Sequence, residues 1–599
     1  MRSSLMVRRV LLLLSLGIPV AAFAQIGSLK TVTVPAVPDL ERYVRDRHVL
    51  LVLGKSLFWD MQVGSDGRTA CATCHFHAGA DHRAQNQISN PKGPFEPNHL
   101  MTLDDFPFRV FADTSNNQSP LLRDSGQRTG SAGIVRRSFL GLTGVGPEEG
   151  IDLPDAPAFR VAGRNTRQVT PRNAPSIINA ALNVRNFFDG RASDVFTGRT
   201  PFGDSDPRPN ALVASEGQLA PERVRLTNSS LASQAVAPPV NPVEMSYEGR
   251  TWPTIGRKLL SARPLANQNV EADDSVLGAY ANPGGPGLDR SHTYFSLVQA
   301  AFQPAYWDST QLADENGFTQ AESNFSLFFG LAIQAYESTL IADDSRYDQY
   351  TEGKVDALTA RERSGLAVLE TRAFCPFCHS GPELTTASFT YAARKGLIDS
   401  VLTGKPGSLE LRLSDSGFFH TGVRPAAEDP GLEALDDFGV PISLAARSST
   451  QRLAIDGAFK VPSLRNVEFT GPYFQNGGQA TLEQVVDFYA RGGDFPDSPD
   501  LPVEIVAIPL AASDRADLVA FLKSLTDDRV RFERAPFDHP ELCVPTGYPD
   551  SSPIDRWAGI PAVGRGGNPV PLQTFEELLR GVGTDGSRTH TLTDRCAIP

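Results

Sequence analysis

Residues 70–79 read ACATCHFHAG and place two cysteines three positions apart, with a histidine directly after the second cysteine. Residues 373–380 read AFCPFCHS and repeat the same C-x-x-C-H spacing with different intervening residues. These two motifs use four of the six cysteines in a chain of 599 residues. Such concentrated cysteine use indicates that both motifs serve the same chemical purpose.

Three kinds of site use paired cysteines. Zinc ribbons separate their pairs by about 15–20 residues, whereas Cys74 and Cys375 lie 301 positions apart (375 − 74). A redox dithiol needs no histidine beside it. In c-type haem attachment, two thiols add to the haem vinyl groups and the adjacent imidazole ligates the iron. The spacing therefore predicts two covalent haems, held by Cys71, Cys74 and His75 and by Cys375, Cys378 and His379.

The N-terminus has the pattern of an export signal. Residues 1–24 read MRSSLMVRRVLLLLSLGIPVAAFA: basic residues, an apolar run over 10–20, then an A-x-A cleavage site. The apolar run is shorter than the ~20 residues of a membrane span. We expect a cleaved signal peptide over residues 1–24 and a soluble periplasmic product without a membrane span. The formal net charge of −13 argues against nucleic acid or an anionic membrane as partner.

The rest of the chain predicts a mainly α protein of two haem domains. Helical patterns occur at 49–60 and 324–340, and capping boxes open helices at Thr359 and Thr481. Ser513 is the expected cap of a last helix. Residues 76–170 and 196–230 are rich in Gly, Pro, Asp and Ser and predict long loop insertions. We place the N-terminal haem domain at 25–320, the C-terminal haem domain at 321–530 and a Pro/Gly-rich extension at 531–599.

The two remaining cysteines, Cys543 and Cys596, lie in the C-terminal extension. In an oxidising compartment, a disulfide between them is the simplest expectation. It would attach the extension to the body of the protein.

Three further segments carry a resemblance: RNAPSIINAALNVRNFFDGRA (172–192), QAVAPPVNPVEM (234–245) and FKVPSLRNVEFTGPYFQNGGQATLEQVVDFYARGG (459–493). With the two haem motifs, they resemble the bacterial di-haem cytochrome c peroxidases and the related enzymes that mature methylamine dehydrogenase. The resemblance implies two cytochrome c-like α domains. It also implies a peroxide-reactive N-terminal haem, an electron-transferring C-terminal haem and a calcium ion between them.

The resemblance also assigns site residues. The acid–base group above the first haem falls on Glu244, and its pocket partners fall on Gln234 and Pro238. The calcium ligands fall on the Asn173 side chain and the carbonyls of Thr470 and Pro472. The chain departs from the family pattern where a tryptophan between the haems is replaced by Phe188, which is much harder to oxidise.

The sixth ligand of the second haem is a methionine in the peroxidases and a tyrosine in the maturation enzymes, and its position falls on Tyr489. The five methionines independently favour tyrosine, because none of them follows the second haem motif: Met1, Met6, Met61, Met101 and Met245. The main rival ligand is His420. We otherwise expect His420 and His539 to be buried structural histidines.

The function implied is reduction of hydrogen peroxide with electrons from a small cytochrome c or cupredoxin. One alternative is a maturation-type oxidase that acts on a protein or organic substrate. The other is a non-enzymatic di-haem electron carrier, against which Glu244 in its motif argues.

Overall fold

The computed structural model describes residues 27–89, 100–405, 408–548, 554–581 and Cys596. The predicted signal peptide, residues 1–24, lies outside the described residues. The α-helices of the described part are α1 (Arg47–Trp59), α2 (Ala72–His75), α3 (Ser230–Ala235), α4 (Trp252–Leu259), α5 (Tyr294–Ala301), α6 (Gln320–Ser323), α7 (Phe325–Glu337), α8 (Arg346–Thr351), α9 (Ala360–Thr371), α10 (Phe389–Lys395), α11 (Leu444–Ser448), α12 (Leu482–Ala490), α13 (Ala512–Ser524), α14 (Asp528–Arg531) and α15 (Phe575–Leu579).

The first apolar cluster is built around the packed pair α1 and α7, with α4 and α5 beside them. Helix α1 begins at Asp46, whose carboxylate accepts the backbone N–H groups of His48 and Val49. The two helices approach so closely that a Cβ atom on Gly54 would collide with the carbonyl oxygen of Ala332. Both helices confirm the predictions at 49–60 and 324–340.

The second apolar cluster is formed by buried side chains of α8, α9, α12 and α13. The Thr359 capping box opens α9 as predicted, and the Thr481 side chain caps α12. The predicted cap at Ser513 is wrong, because α13 already begins at Ala512. The Asp514 carboxylate accepts the backbone N–H of Ala511, so an acid inside the first turn does the capping. The prediction that this helix is the last is also wrong, since α14 and α15 follow it.

The strands form antiparallel two-stranded ribbons. They are β1 (Gln87–Ser89), β2 (Arg109–Phe111), β3 (Leu121–Asp124), β4 (Gln127–Thr129), β5 (Ala132–Val135), β6 (Arg137–Gly141), β7 (Glu149–Asp152), β8 (Arg160–Val161), β9 (Arg164–Asn165), β10 (Arg167–Val169), β11 (Ala211–Ser215), β12 (Gln218–Glu222), β13 (Ile398–Thr403), β14 (Glu410–Asp415), β15 (Phe418–Phe419), β16 (Phe459–Lys460), β17 (Leu542–Gly547) and β18 (Arg556–Ile560). The pairs are β1–β4, β2–β3, β5–β10, β6–β7, β8–β9, β11–β12, β13–β14, β15–β16 and β17–β18.

The ribbons correct the predicted class and the predicted loops. Helix accounts for 30% and strand for 18%, so "mainly α" holds only loosely. The segment 76–170 carries β1 to β10, and 196–230 carries the β11–β12 hairpin rather than only loop. These strands escaped the sequence analysis because a short ribbon satisfies its backbone hydrogen bonds locally and need not bury a periodic apolar face.

The position of α7 argues against the predicted domain boundary at residue 320. Helix α7 packs in the first cluster, although the predicted boundary at 320 assigns it to the second domain. We therefore propose a boundary after Ala342, because the first cluster contains no further described residue until Phe469.

Cys543 and Cys596 form the predicted disulfide. Buried residues of the extension, among them Val544 and Trp557, also pack in the first cluster.

The described residues contain no helix that is both long and apolar enough to cross a membrane.

Candidate active site

The first C-x-x-C-H motif lies on α2, and its histidine is oriented by the loop that follows. His75 Nδ1 lies 2.9 Å from the carbonyl oxygen of Gly79. Because a carbonyl oxygen can only accept, Nδ1 carries the proton and Nε2 keeps its lone pair. This is the second-shell hydrogen bond that metal-bound histidines usually have.

The second motif begins in a 3-10 turn, Cys375–Phe377, and repeats this arrangement. His379 Nδ1 lies 3.2 Å from the carbonyl oxygen of Leu384, so Nδ1 again carries the proton. The four motif cysteines form no disulfide: Cys71, Cys74, Cys375 and Cys378. Free thiols beside an oriented imidazole are the donor set that covalent haem attachment requires.

Each motif lines its own cavity. The first cavity, lined by Cys71, Cys74 and His75, encloses about 1020 Å³ of empty space including its open mouth. The second, lined by Cys375, Cys378 and His379, encloses about 1890 Å³ measured in the same way. Both volumes include space that is open to solvent, and each cavity brings the two cysteines and the histidine of its motif into one lining.

The two cavities share a wall, formed by Asn173, Ala174, Pro175 and Phe188. The side chain of Phe188 is only 8% exposed. Its carbonyl oxygen accepts the backbone N–H of Lys460 at 2.7 Å, which ties the wall to β16. Groups held in the two cavities would thus be separated by a single layer of side chains.

Glu244, Gln234 and Pro238 all line the first cavity. The proline-rich turn after α3 positions the glutamate, because the Asn241 side chain accepts the Val243 N–H at 2.8 Å. Asn241 Nδ2 then donates to Glu244 Oε1 at 3.0 Å. Burial raises the pKa of the Glu244 carboxyl, and the charge of Arg191 partly opposes this rise. A carboxyl whose pKa is raised is better suited to give and take a proton than an exposed one.

Glu337 is a second acid of the first cavity, and the sequence analysis missed it. It ends α7 and is only 6% exposed, yet it lines the cavity. Burial raises the pKa of its carboxyl to about 8. Within the described residues, no hydrogen bond joins this carboxyl to another group. A lone acid inside the apolar segment FSLFFGLAIQAYE was the signal that could have identified it.

Tyr489 lies on α12 and lines the second cavity together with the second motif. Its ring makes edge-on contacts with Phe488 at 5.1 Å and Phe474 at 5.9 Å. Burial raises the pKa of its hydroxyl. The geometry thus brings the predicted sixth ligand into the same cavity as His379.

The two histidines expected to be structural are both buried. The neighbours of His420, Phe419 and Thr421, line the second cavity, whereas His420 Nδ1 lies 2.9 Å from the carbonyl oxygen of Gly457, away from the cavity. His539 stacks on Trp59 with ring centroids 4.6 Å apart.

The predicted calcium ligands share the second cavity, and two of them are in contact. Asn173, Thr470 and Pro472 all line the second cavity, and Asn173 Nδ2 donates to the Pro472 carbonyl oxygen. The described residues contain no cluster of three or more His, Cys, Asp or Glu suited to a metal ion. A cation here would rely on neutral oxygens, which Ca²⁺ accepts. It would also require the Asn173 amide to turn its oxygen, not its nitrogen, towards Pro472.

Comparisons with known proteins show what the chain is similar to. The family model described as "Di-haem cytochrome c peroxidase" matches residues 155–356. The chain is similar to cytochrome-c peroxidase IdrP1 of Denitromonas iodatirespirans, with 31% identity over 45% of this chain and 65% of that protein. It is also similar to IdrP1 of Pseudomonas sp. (strain SCT), with 26% identity over 43% of this chain and 61% of that protein.

A third relative is methylamine utilization protein MauG of Methylorubrum extorquens, with 28% identity over 35% of this chain and 47% of that protein. The chain thus spans less than two thirds of the length of each of these relatives. The relatives nevertheless share one family with the matched model. Residues 155–356 thus match the di-haem cytochrome c peroxidase family model, and the relatives to which the chain is similar are cytochrome c peroxidases and MauG.

Proposed function

We propose that the protein is an exported, periplasmic di-haem enzyme that reduces hydrogen peroxide to water with electrons from a small cytochrome c or cupredoxin. The observation that carries the proposal is the placement of Glu244 in the cavity of His75, one wall away from the second motif. The match to the family model and the similarity to cytochrome c peroxidases support the same activity. Export rests on the signal pattern of residues 1–24.

Haem bound in each cavity would supply the redox chemistry and exchange electrons between donor and peroxide. His75 and His379 would hold iron through Nε2, and the four motif thiols would attach the rings. Reduction of one peroxide to two waters consumes two electrons and two protons. The Glu244 carboxylate would take a proton from the bound peroxide at one oxygen and return it to the leaving oxygen. Gln234 and Pro238 shape the pocket around it.

Phe188 enters this proposal as a packing residue of the shared wall. A phenylalanine ring is too hard to oxidise to hold an electron vacancy, so electrons would cross this layer without stopping on the side chain. In the same wall, we propose one calcium ion on the Asn173 side chain and the carbonyls of Thr470 and Pro472. Such an ion would join the segment at 173 to the segment at 470–472, and thereby hold the two cavities in register.

The experiment that tests the function is a steady-state assay of the purified holoprotein. We expect rapid oxidation of a reduced small cytochrome c on addition of hydrogen peroxide, and two haems that stay attached after denaturation. Loss of haem on denaturation would refute covalent attachment. Two attached haems without peroxide turnover would refute the peroxidase.

A maturation-type oxidase is the second candidate, and Tyr489 in the second cavity favours it. An enzyme of this kind would turn over poorly with cytochrome c and would oxidise a protein or organic substrate instead. The same assay, repeated with such substrates, separates the two functions.

Replacing Tyr489 by phenylalanine is expected to remove the six-coordinate spectrum of the second haem and to raise its midpoint potential, because an anionic phenolate ligand stabilises ferric iron. Optical and EPR spectra with a redox titration measure both effects. Tyr473→Phe is the matched control, since Tyr473 lines the same cavity but its hydroxyl donates to the Val467 carbonyl oxygen at 3.0 Å. If Tyr489→Phe leaves spectrum and potential unchanged, Tyr489 is not the ligand.

A further inference from the structure

Lys460 is a buried cation in the wall of the second cavity. It ends β16, which pairs with β15 (Phe418↔Lys460), and its backbone N–H donates to the carbonyl oxygen of Phe188. Its side chain is 5% exposed and lines the second cavity. Lys460 therefore lies where the second cavity meets the wall that it shares with the first.

The Lys460 ammonium has no hydrogen-bond or ion-pair partner within the described residues. The two other fully buried lysines differ in this respect. Lys55 Nζ lies 2.8 Å from Asp274 Oδ1, and Lys258 Nζ lies 3.1 Å from Glu148 Oε1. Burying an ammonium without a counter-charge is unfavourable, because the ion loses its hydration and gains nothing in return. The Lys460 ammonium therefore lacks a counter-charge from the described part of the polypeptide, and a bound group would have to supply it.

The missing partner of Lys460 has to be an anion, and it has to lie inside the second cavity. Glu504 lines the same cavity, but it forms no ion pair with Lys460 and its Oε2 atom is buried without a hydrogen bond. A haem carries two propionate carboxylates at one edge of its ring. A propionate carboxylate carries the opposite charge to the Lys460 ammonium, and its oxygens can accept the N–H bonds of that ammonium.

We propose that Lys460 binds a propionate carboxylate of the second haem at the edge that faces the shared wall. This proposal rests on haem in the second cavity but not on peroxide as substrate. The buried ammonium would add positive charge near the second iron and would favour its ferrous form. Burial also lowers the pKa of Lys460 to about 8, and a paired propionate would raise it again.

The test is Lys460→Met in the holoprotein, with separate midpoint potentials for the two haems and a haem count after denaturation. We expect the potential of the second haem to fall and that of the first to stay unchanged. Lys460→Arg retains the cation and is expected to keep the potential close to the original value. Lys395→Met is the control, because it removes the same charge from an exposed position on α10.

Equal potentials in the original protein and in Lys460→Met would overturn the proposal. Loss of the six-coordinate spectrum of the second haem would also overturn it, because Lys460 would then be an iron ligand. If Lys460→Met fails to load haem, resonance Raman of the unmodified holoprotein decides. A propionate bending band at the position of an ion-paired carboxylate supports the proposal, and a band typical of a solvated propionate overturns it. These readouts are independent of whether peroxide is turned over.

Discussion

Glu244→Gln is expected to lower the rate of peroxide reduction by about 10²–10⁴-fold, the usual contribution of a general acid–base group. Glutamine has nearly the same shape and can still pack in the first cavity, but it cannot take up and return a proton. The substituted side chain can also keep a hydrogen bond to Asn241, which now holds Glu244 Oε1 at 3.0 Å. We therefore expect the loss to appear in turnover with little change in folding or haem content.

The measurement is steady-state turnover with reduced cytochrome c, together with a haem count and a resting spectrum. Glu248→Gln is the matched control, because Glu248 lies four residues later and is exposed. It should leave the rate unchanged. A decrease of less than tenfold in Glu244→Gln would mean that another group carries the proton, and Glu337 in the same cavity would be examined next.

Glu337→Gln is expected to change how the stability of the protein depends on pH. The carboxyl has a pKa of about 8 in the fold, against an ordinary value of 4.5. Between these values the folded chain keeps its proton and the unfolded chain has lost it, so the free energy of unfolding falls as pH rises. The contribution of the Glu337 carboxyl to the free energy of unfolding is fully present below pH 4.5 and is lost by about pH 8.

At about 1.4 kcal/mol per pKa unit, this shift lowers the free energy of unfolding by at most ~5 kcal/mol at pH 8 and above. Glutamine does not ionise, so the variant should lose this slope and be more stable than the original protein at pH 8. Denaturant unfolding of both holoproteins at pH 5, 6, 7 and 8 measures the difference. The control is Glu315→Gln, at an exposed position. Parallel curves for Glu337→Gln and the original protein would show that the acid does not hold its proton in the fold.

The local sequence was sufficient to predict the haem-binding motifs, which stay predictions, and to identify several helices. C-x-x-C-H carries all the atoms of an attachment site within five residues, so its chemistry can be read without knowing the fold. Capping boxes such as Thr359 with Glu362 are equally local, and the structure contains this box. Long apolar helices such as α7 are also visible, because their burial leaves a run of apolar residues. The assignments of Glu244, Tyr489 and the calcium ligands needed the family resemblance, and they stay predictions.

The ribbons between residues 76 and 230 were not predictable in this way. Their strands are two to five residues long and form two-stranded ribbons, which do not show the long alternating apolar pattern of a buried sheet. The prediction that Ser513 caps α13 was also wrong. Several nearby polar residues could cap the helix, and the Asp514 carboxylate accepts the Ala511 N–H at its start.

The sequence by itself determined which residues can attach and ligate two haems, because that chemistry depends on residue type and on spacings of a few positions. Only the tertiary structure decided which distant side chains share a cavity. It brought Glu337 into the cavity of Cys71 and Lys460 into the cavity of Cys378, and it placed Phe188 in the wall between the two cavities. Those groups are ordinary in sequence. They become unusual through burial, which removes water from a charge and leaves it to be neutralised by a proton or by a bound partner.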